Sequence, residues 1–234
     1  MDKVLGIIGG MGPLSAVKLF ERIVLLTDAH CDQEHLHILI DNNTTIPDRT
    51  DYILGVIPDD PREKLIDSAR KLKSIGADFL VICCNTAHYF YDDLINAVDI
   101  PILSMIEETA KYIKEHHEDI KEVGLLSTEG TSKVLVYDKV FKKYGIDIIK
   151  PTSENQTHIT NIIYNIKKGI PNDDLSGFYT TMEEMKIRGA SLFIMGCTEL
   201  PVAVGLYDLK GNFINPLEIL AIKSIEYAGK SVKV

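Results

Sequence analysis

No apolar stretch in this 234-residue chain approaches 18 residues, so no segment reads as a transmembrane helix, and no membrane partner is expected. There is no basic stripe either. Lys and Arg number 25 against 34 Asp and Glu, a formal charge of −9, and the densest basic points are pairs such as Lys142-Lys143 and Lys167-Lys168. Such a chain cannot neutralise a run of phosphates, which argues against nucleic acid as a partner. The four cysteines, two of them adjacent, make no disulfide framework, and the Cys-x-x-Cys pair of a thiol-redox protein is absent. No Gly-x-x-x-x-Gly-Lys-Ser/Thr phosphate loop occurs, since Gly229-Lys230-Ser231 has Ser224 where that pattern needs its first glycine. Gly9-Gly10-Met11-Gly12-Pro13 fails the dinucleotide spacing, which would need glycine at the position of Ser15. His30, Cys31, His35 and His37 match no structural-zinc pattern, so no metal site is expected. Lys3 and the apolar run Val4 to Ile8 resemble a signal peptide only briefly; with no small-residue cleavage site after them, they read as a buried first strand. What is left is a soluble, cytoplasmic, enzyme-sized protein of ordinary globular composition, long enough for one or two domains.

Against these absences stands an internal repeat. Gly76-Ala77-Asp78-Phe79-Leu80-Val81-Ile82-Cys83-Cys84-Asn85-Thr86 aligns without a gap onto Gly189-Ala190-Ser191-Leu192-Phe193-Ile194-Met195-Gly196-Cys197-Thr198-Glu199. In each copy a Gly-Ala pair stops a helix, a short apolar run follows, and a thiol stands eight positions after the glycine. An apolar run bounded in this way reads as a strand buried on both faces, as in a parallel sheet. Each thiol then lies at the carboxyl end of a core strand, where open α/β sheets hold their ligands. Were the halves related by a pseudo-twofold axis, the two sulfurs would face each other across one cleft. Opposed acid/base groups are what inverting a carbon stereocentre requires.

The rest of the chain reads as two such halves. Strands are expected at 4–8, 37–41, 79–83 and 102–103, with helices over 16–24, 65–75 and 89–97 and a polar loop from 42 to 61. The pattern restarts with strands at 123–126, 146–149 and 192–195 and helices at 133–144, 156–168 and 173–188, the last with Asn172 as N-cap. First strand to thiol spans 80 residues in one half and 74 in the other. The expected fold is therefore α/β: two pseudo-symmetric lobes with mainly parallel sheets, the site in the cleft between them. The expected domains are 1–104, with 209–234 packing back on it through a helix at 217–228, and 105–208.

Within this frame the residues divide by chemistry. Met11 and Gly12 lie in a tight turn whose backbone N–H groups, at a helix start, could also receive a carboxylate; the two readings are compatible. Cys83 points away from Cys84 and reads as a small core residue. Cys84 is followed by Asn85, Thr86 and His88, donors at a helix N-terminus, where a thiol pKa falls. Asn85, Thr86, Thr198 and the turn Ser127-Thr128 are the donors available to an enolate-like intermediate. Asn42 and Asn43 admit both a ligand role and a loop-structuring one.

Cys84-Asn85-Thr86-Ala87-His88 together with Gly196-Cys197-Thr198-Glu199 resembles the aspartate/glutamate racemase family over nearly the whole chain. Gly9-Gly10-Met11-Gly12-Pro13 and Ile46-Pro47-Asp48-Arg49-Thr50 look like its aspartate racemase branch; glutamate racemases carry an Asp-Ser-Gly opening and a histidine two places after the second cysteine, where this chain has Glu199. The resemblance implies a racemase of acidic amino acids, aspartate first and glutamate as the alternative, that uses no pyridoxal phosphate, metal or nucleotide. It implies Cys84 and Cys197 as the two acid/base groups, assisted by Asp48 and Glu199. Arg49 would bind one substrate carboxylate and Lys167 a second, with Lys168 as the competing match. Family members often dimerise, so a homodimer is a partner the resemblance allows. The rival readings are a dicarboxylate isomerase or decarboxylase of the same superfamily, and a non-catalytic dicarboxylate-binding protein.

Overall fold

In each half of the chain a buried apolar strand becomes the centre of a four-stranded parallel sheet. The computed structural model describes residues 2–172 and 174–233. It divides into two units, 1–109 with 217–234, and 110–216.

The first unit carries β1 (Leu5–Gly9), β2 (Ile38–Asn42), β3 (Phe79–Ile82) and β4 (Ile102–Leu103), in the sheet order β2-β1-β3-β4. All neighbours are parallel, with Ile8 opposite both Asp41 and Ile82. The two central strands are buried along their whole length, while edge strand β2 is half-exposed, which is why its sequence is more polar. Helix α1 (Pro13–Leu26) starts with proline at its first position, where the missing N–H costs no intrahelical bond. Helix α3 (Arg62–Ser74) covers the opposite face, where Leu65, Ala69 and Leu72 pack with Ile8, Leu80 and Ile82. Helix α4 (Tyr91–Ala97) follows a short 3-10 segment at Thr86–Phe90, and α5 (Met105–His116) follows β4.

The second unit repeats the plan with β5 (Glu122–Ser127), β6 (Asp147–Ile149), β7 (Phe193–Gly196) and β8 (Phe213–Ile214), in the order β6-β5-β7-β8. Helices α6 (Glu129–Lys133) and α7 (Val136–Lys142) stand where one helix was expected; Leu135 at φ 57° takes the left-handed conformation between them and breaks the run. Helices α8 (Ser153–Lys168), α9 (Ser176–Ile187) and α10 (Glu199–Tyr207) share a core in which Ile159, Phe178, Met185 and Leu200 pack. The internal repeat extends to backbone conformation. Gly76 and Gly189, which close α3 and α9, have φ of 105° and 108°, a region that side-chain-bearing residues rarely adopt.

Several expectations shift. The polar loop 42–61 contains a further helix, α2 (Arg49–Leu54), started by the Asp48 side chain, which accepts from the N–H groups of Thr50 and Asp51. Helices α5 and α10 and strand β8 lie outside the expected elements. The helix expected to begin at Asp173 begins at Ser176 with Leu175 before it; Asp173 itself lies outside the described residues. Asn172 is not its cap: Leu175 holds that position, the Asn172 side-chain oxygen accepts from the Asn165 amide at 2.9 Å, and its backbone and side-chain N–H groups donate to the Tyr207 hydroxyl at 2.9 and 3.2 Å. The first unit runs to Thr109, within α5, and the pairing of β8 with β7 keeps the chain in the second unit up to Pro216.

Only then does α11 (Pro216–Tyr227) return to the first unit. Leu217, Leu220, Ala221 and Ile225 pack there against Leu5, Ile7, Leu19 and Phe79, and Glu218 makes a two-pronged ion pair with Arg22 of α1. Leu220 is fully buried in this layer. Leu220→Ala should therefore lower unfolding stability by about 2–5 kcal/mol, read as a fall in the urea midpoint at unchanged slope. A loss below about 1 kcal/mol would mean that the layer closes over the gap or that α11 is not held there.

Candidate active site

Three segments of the first unit bear on chemistry, and each follows a strand. After β1, Gly10 has φ 89°, and a Cβ built there would stand 2.2 Å from the Asn43 carbonyl oxygen, so only glycine lets this turn touch the loop beyond β2. Met11 is buried, and Gly12 occupies the N-cap position of α1, its carbonyl accepting from the Ser15 hydroxyl at 2.6 Å. Asn42 ends β2 opposite Gly9. The Asn43 Oδ1 accepts from the Thr45 N–H and hydroxyl at 3.1 and 2.8 Å, a turn-forming role.

Asp48 and Arg49 are placed by the start of α2. The Asp48 Oδ1 accepts from the Thr50 and Asp51 N–H groups at 2.8 and 3.0 Å, and its Oδ2 is 4.0 Å from the Arg49 guanidinium. Arg49 is buried and its Nη1 donates to the Pro47 carbonyl at 2.9 Å. Its Nε, equally buried, has no partner. An unmatched donor on a buried cation is costly for a fold to keep and marks where an anion would be welcome.

Beyond β3 the vicinal thiols separate as alternation requires. Cys83 is fully buried; its thiol donates to the Ile8 carbonyl at 3.3 Å, and burial pushes its pKa up to about 12. Cys84, Asn85 and Thr86 are buried together where β3 gives way to the 3-10 segment. His88 departs from the expectation. It is not a donor turned toward a ligand: its ring bridges the Cys84 carbonyl and the Met105 amide.

In the second unit the matching strand end is more fully wired. Cys197 follows β7 directly and its thiol donates to the Glu199 Oε2 at 2.9 Å. The Thr198 hydroxyl reaches the same oxygen at 3.4 Å. Burial and then the Glu199 charge raise the Cys197 pKa well above the ordinary thiol value, while Lys167 opposes them. That influence distinguishes Lys167 from Lys168. Lys167 lies in the last turn of α8, with its ammonium 5.1 Å from the centre of the Tyr164 ring. Thr128 caps α6, its hydroxyl accepting from the Thr131 N–H at 3.3 Å. Tyr137 of α7 was not anticipated: it is fully buried, and the nearby Cys197 adds to the burial that raises its phenol pKa. Nothing in the sequence separates it from an ordinary apolar helix position.

The candidate residues thus fall into two sets, one per unit: Met11, Gly12, Asp48, Arg49, Cys84, Asn85 and Thr86 in the first, Thr128, Lys167, Cys197, Thr198 and Glu199 in the second. Among the described residues no group of three or more His, Cys, Asp or Glu side chains could hold a metal ion, and no helix is long and apolar enough to cross a membrane.

Known proteins share this fold. The family pattern described as Asp/Glu/hydantoin racemase matches residues 8–221. The chain is 30% identical over 201 residues to the broad specificity amino-acid racemase RacX of Bacillus subtilis, covering 84% of this chain and 86% of that one. A glutamate racemase of Aquifex aeolicus is 26% identical over 172 residues, 71% of this chain and 62% of that one. The solved Picrophilus torridus aspartate racemase superposes with a TM-score of 0.83 at 30% identity, over 99% of this chain and 96% of that one.

Alkylation without substrate tests the wiring. At pH 8, iodoacetamide should leave Cys83 unmodified in the folded protein, because a thiol with its pKa near 12 offers almost no thiolate. Cys197 should react several-fold faster in Glu199→Gln than in the wild type, since removing the carboxylate charge lowers the thiol pKa and raises its thiolate fraction. Peptide-resolved mass spectrometry reads both; equal Cys197 labelling in the two proteins would mean that Glu199 does not hold the proton there.

Proposed function

Because the chain belongs to the Asp/Glu/hydantoin racemase family, whose members are isomerases, we propose that it interconverts the L and D forms of an acidic amino acid, aspartate by preference. The reaction removes the proton from Cα on one face and returns a proton on the other, with Cys84 and Cys197 as the two acid/base groups and no cofactor. The observation that carries this reading is the equivalent placement of the two thiols, each just beyond the carboxyl end of the matching central strand of its unit.

The chemistry follows from how the thiols differ. Cys197 holds its proton, buried and hydrogen-bonded to Glu199, and so is loaded as the acid. Cys84 then takes the first proton as thiolate. The reverse direction needs Cys197 unloaded, and Glu199 is placed to accept its proton. The thiols must reach the same carbon from opposite faces, each sulfur about 3–3.5 Å from it. Proton loss leaves an enolate-like carbanion, for which Asn85, Thr86, Thr128 and Thr198 are the hydroxyl and amide groups at hand. Arg49, with its unmatched Nε, takes one substrate carboxylate and Lys167 the other, while Asp48 starts the helix that carries Arg49 and assists Cys84. A broader amino-acid range is the second reading, favoured by the similarity to a broad specificity racemase.

Proton NMR of L-amino acids in D2O separates these readings. L-Aspartate should lose its Cα–H signal as the D form appears, with neutral amino acids slower; comparable rates for neutral substrates would favour the broad reading. Cys84→Ser and Cys197→Ser should each nearly abolish net racemisation, because serine is too weak an acid, while one base survives to exchange Cα–H of one enantiomer. Full activity in either variant would end the two-thiol reading.

The role of Arg49 is tested separately. A paired guanidinium–carboxylate contact contributes roughly 1.5–3 kcal/mol, so Arg49→Lys should raise KM for aspartate several-fold and Arg49→Leu further. Wild-type turnover by Arg49→Leu would make Arg49 structural.

A further inference from the structure

His88 sits four residues after Cys84 and is buried. Its Nε2 is 3.1 Å from the backbone N–H of Met105, which can only donate, so Nε2 is the accepting nitrogen. The ring's proton is therefore on Nδ1, which donates to the Cys84 carbonyl at 2.9 Å. Burial pushes the His88 pKa down to about 4, so this neutral tautomer is the form present near neutral pH. Met105 is the first residue of α5, and its N–H is one of the donors a helix leaves without an internal partner. One imidazole thus caps α5 and grips the residue that bears the thiol. Tyr91 lies parallel to the ring at 6.1 Å between centres and donates its hydroxyl to the Ile102 carbonyl, fastening the same stretch from the other side. The second unit has no such device: the residue four places after Cys197 is Pro201, and the Cys197 carbonyl accepts instead from the Leu200 N–H.

We infer that His88 is a positioning residue for Cys84: by tying the Cys84 carbonyl to the start of α5, it sets the direction of the Cys84 thiol. The inference rests on the reading of Cys84 as an acid/base group. It also follows that the two thiols are aimed by different means, Cys84 through its backbone and Cys197 through Glu199 at the sulfur itself.

Two substitutions split the bridge. Asparagine at 88 keeps a donor near the position of Nδ1 and loses the acceptor for Met105; glutamine keeps an acceptor near Nε2 and loses the donor to Cys84. His88→Gln should lower kcat about ten-fold or more with KM for aspartate within roughly two-fold, and should change the iodoacetamide rate of Cys84 several-fold without changing that of Cys197. His88→Asn should restore both toward the wild-type values while melting at a lower temperature, having lost the cap. A folded His88→Gln variant with wild-type kcat and Cys84 alkylation would overturn the inference, as would a folded His88→Asn variant as impaired as His88→Gln. Should His88→Gln fail to fold, Cys84 alkylation in His88→Asn decides alone: a wild-type rate supports the inference and an altered one overturns it. If the wild type racemises no amino acid, the functional reading fails, and the alkylation rates still report whether His88 directs the Cys84 thiol.

Discussion

The proposed acid/base chemistry needs thiols whose direction is fixed and from which water is held away, and the strand that precedes each candidate cysteine bears on both conditions. β3 and β7 are central strands, parallel-paired on both sides and buried along their full length, so the residue that leaves each strand departs from a fixed point in a fixed direction. The flanking helices exist to cover those strands. Their apolar faces, and the glycines at 76 and 189 that turn the chain back into the sheet, serve one geometric end. Parallel pairing also gathers the segments after β1, β2 and β3 at one edge of the first sheet, which is why Met11, Arg49 and Cys84, distant in sequence, belong to one neighbourhood.

The two strand ends are not electrostatic copies. The Cys197 thiol donates to the Glu199 carboxylate, whose charge adds to burial in raising its pKa, and Lys167 opposes the effect. Cys84 is held instead by its carbonyl, through an imidazole kept neutral by burial. The two matching strand ends therefore carry different hydrogen-bond partners. The vicinal Cys83 shows what the same side chain becomes without such partners: a core residue hydrogen-bonded to a strand carbonyl, its proton out of reach.

Arg49 is the clearest local conflict in the first unit. Its guanidinium is buried, holds backbone carbonyls of its own loop, and leaves Nε without a partner. The Asp48 carboxylate is tied mainly to the amides of α2 and stays 4.0 Å away, too far to neutralise Arg49 by a close pair. In a chain of net charge −9 this buried, incompletely matched guanidinium is a local positive charge.

Sequence alone determined what periodicity and spacing control. The gapless repeat around Cys84 and Cys197, the runs that became β1, β3, β5 and β7, and the amphipathic α3 and α8 were legible because each pattern is local and each burial nearly complete. Asp48 was legible as a candidate but not as the cap of α2, since a six-residue helix has too few turns to show a period. Helix α10 was missed because it is apolar on most sides. Tertiary structure decided the rest. It determined which neighbour a side chain meets: that His88 faces a carbonyl and an amide, that Asn172 reaches Tyr207, that Glu199 accepts the Cys197 thiol's hydrogen bond, and that Lys167 rather than Lys168 acts on that thiol. These are contacts set by sheet order and helix packing, and no local run of residues encodes them.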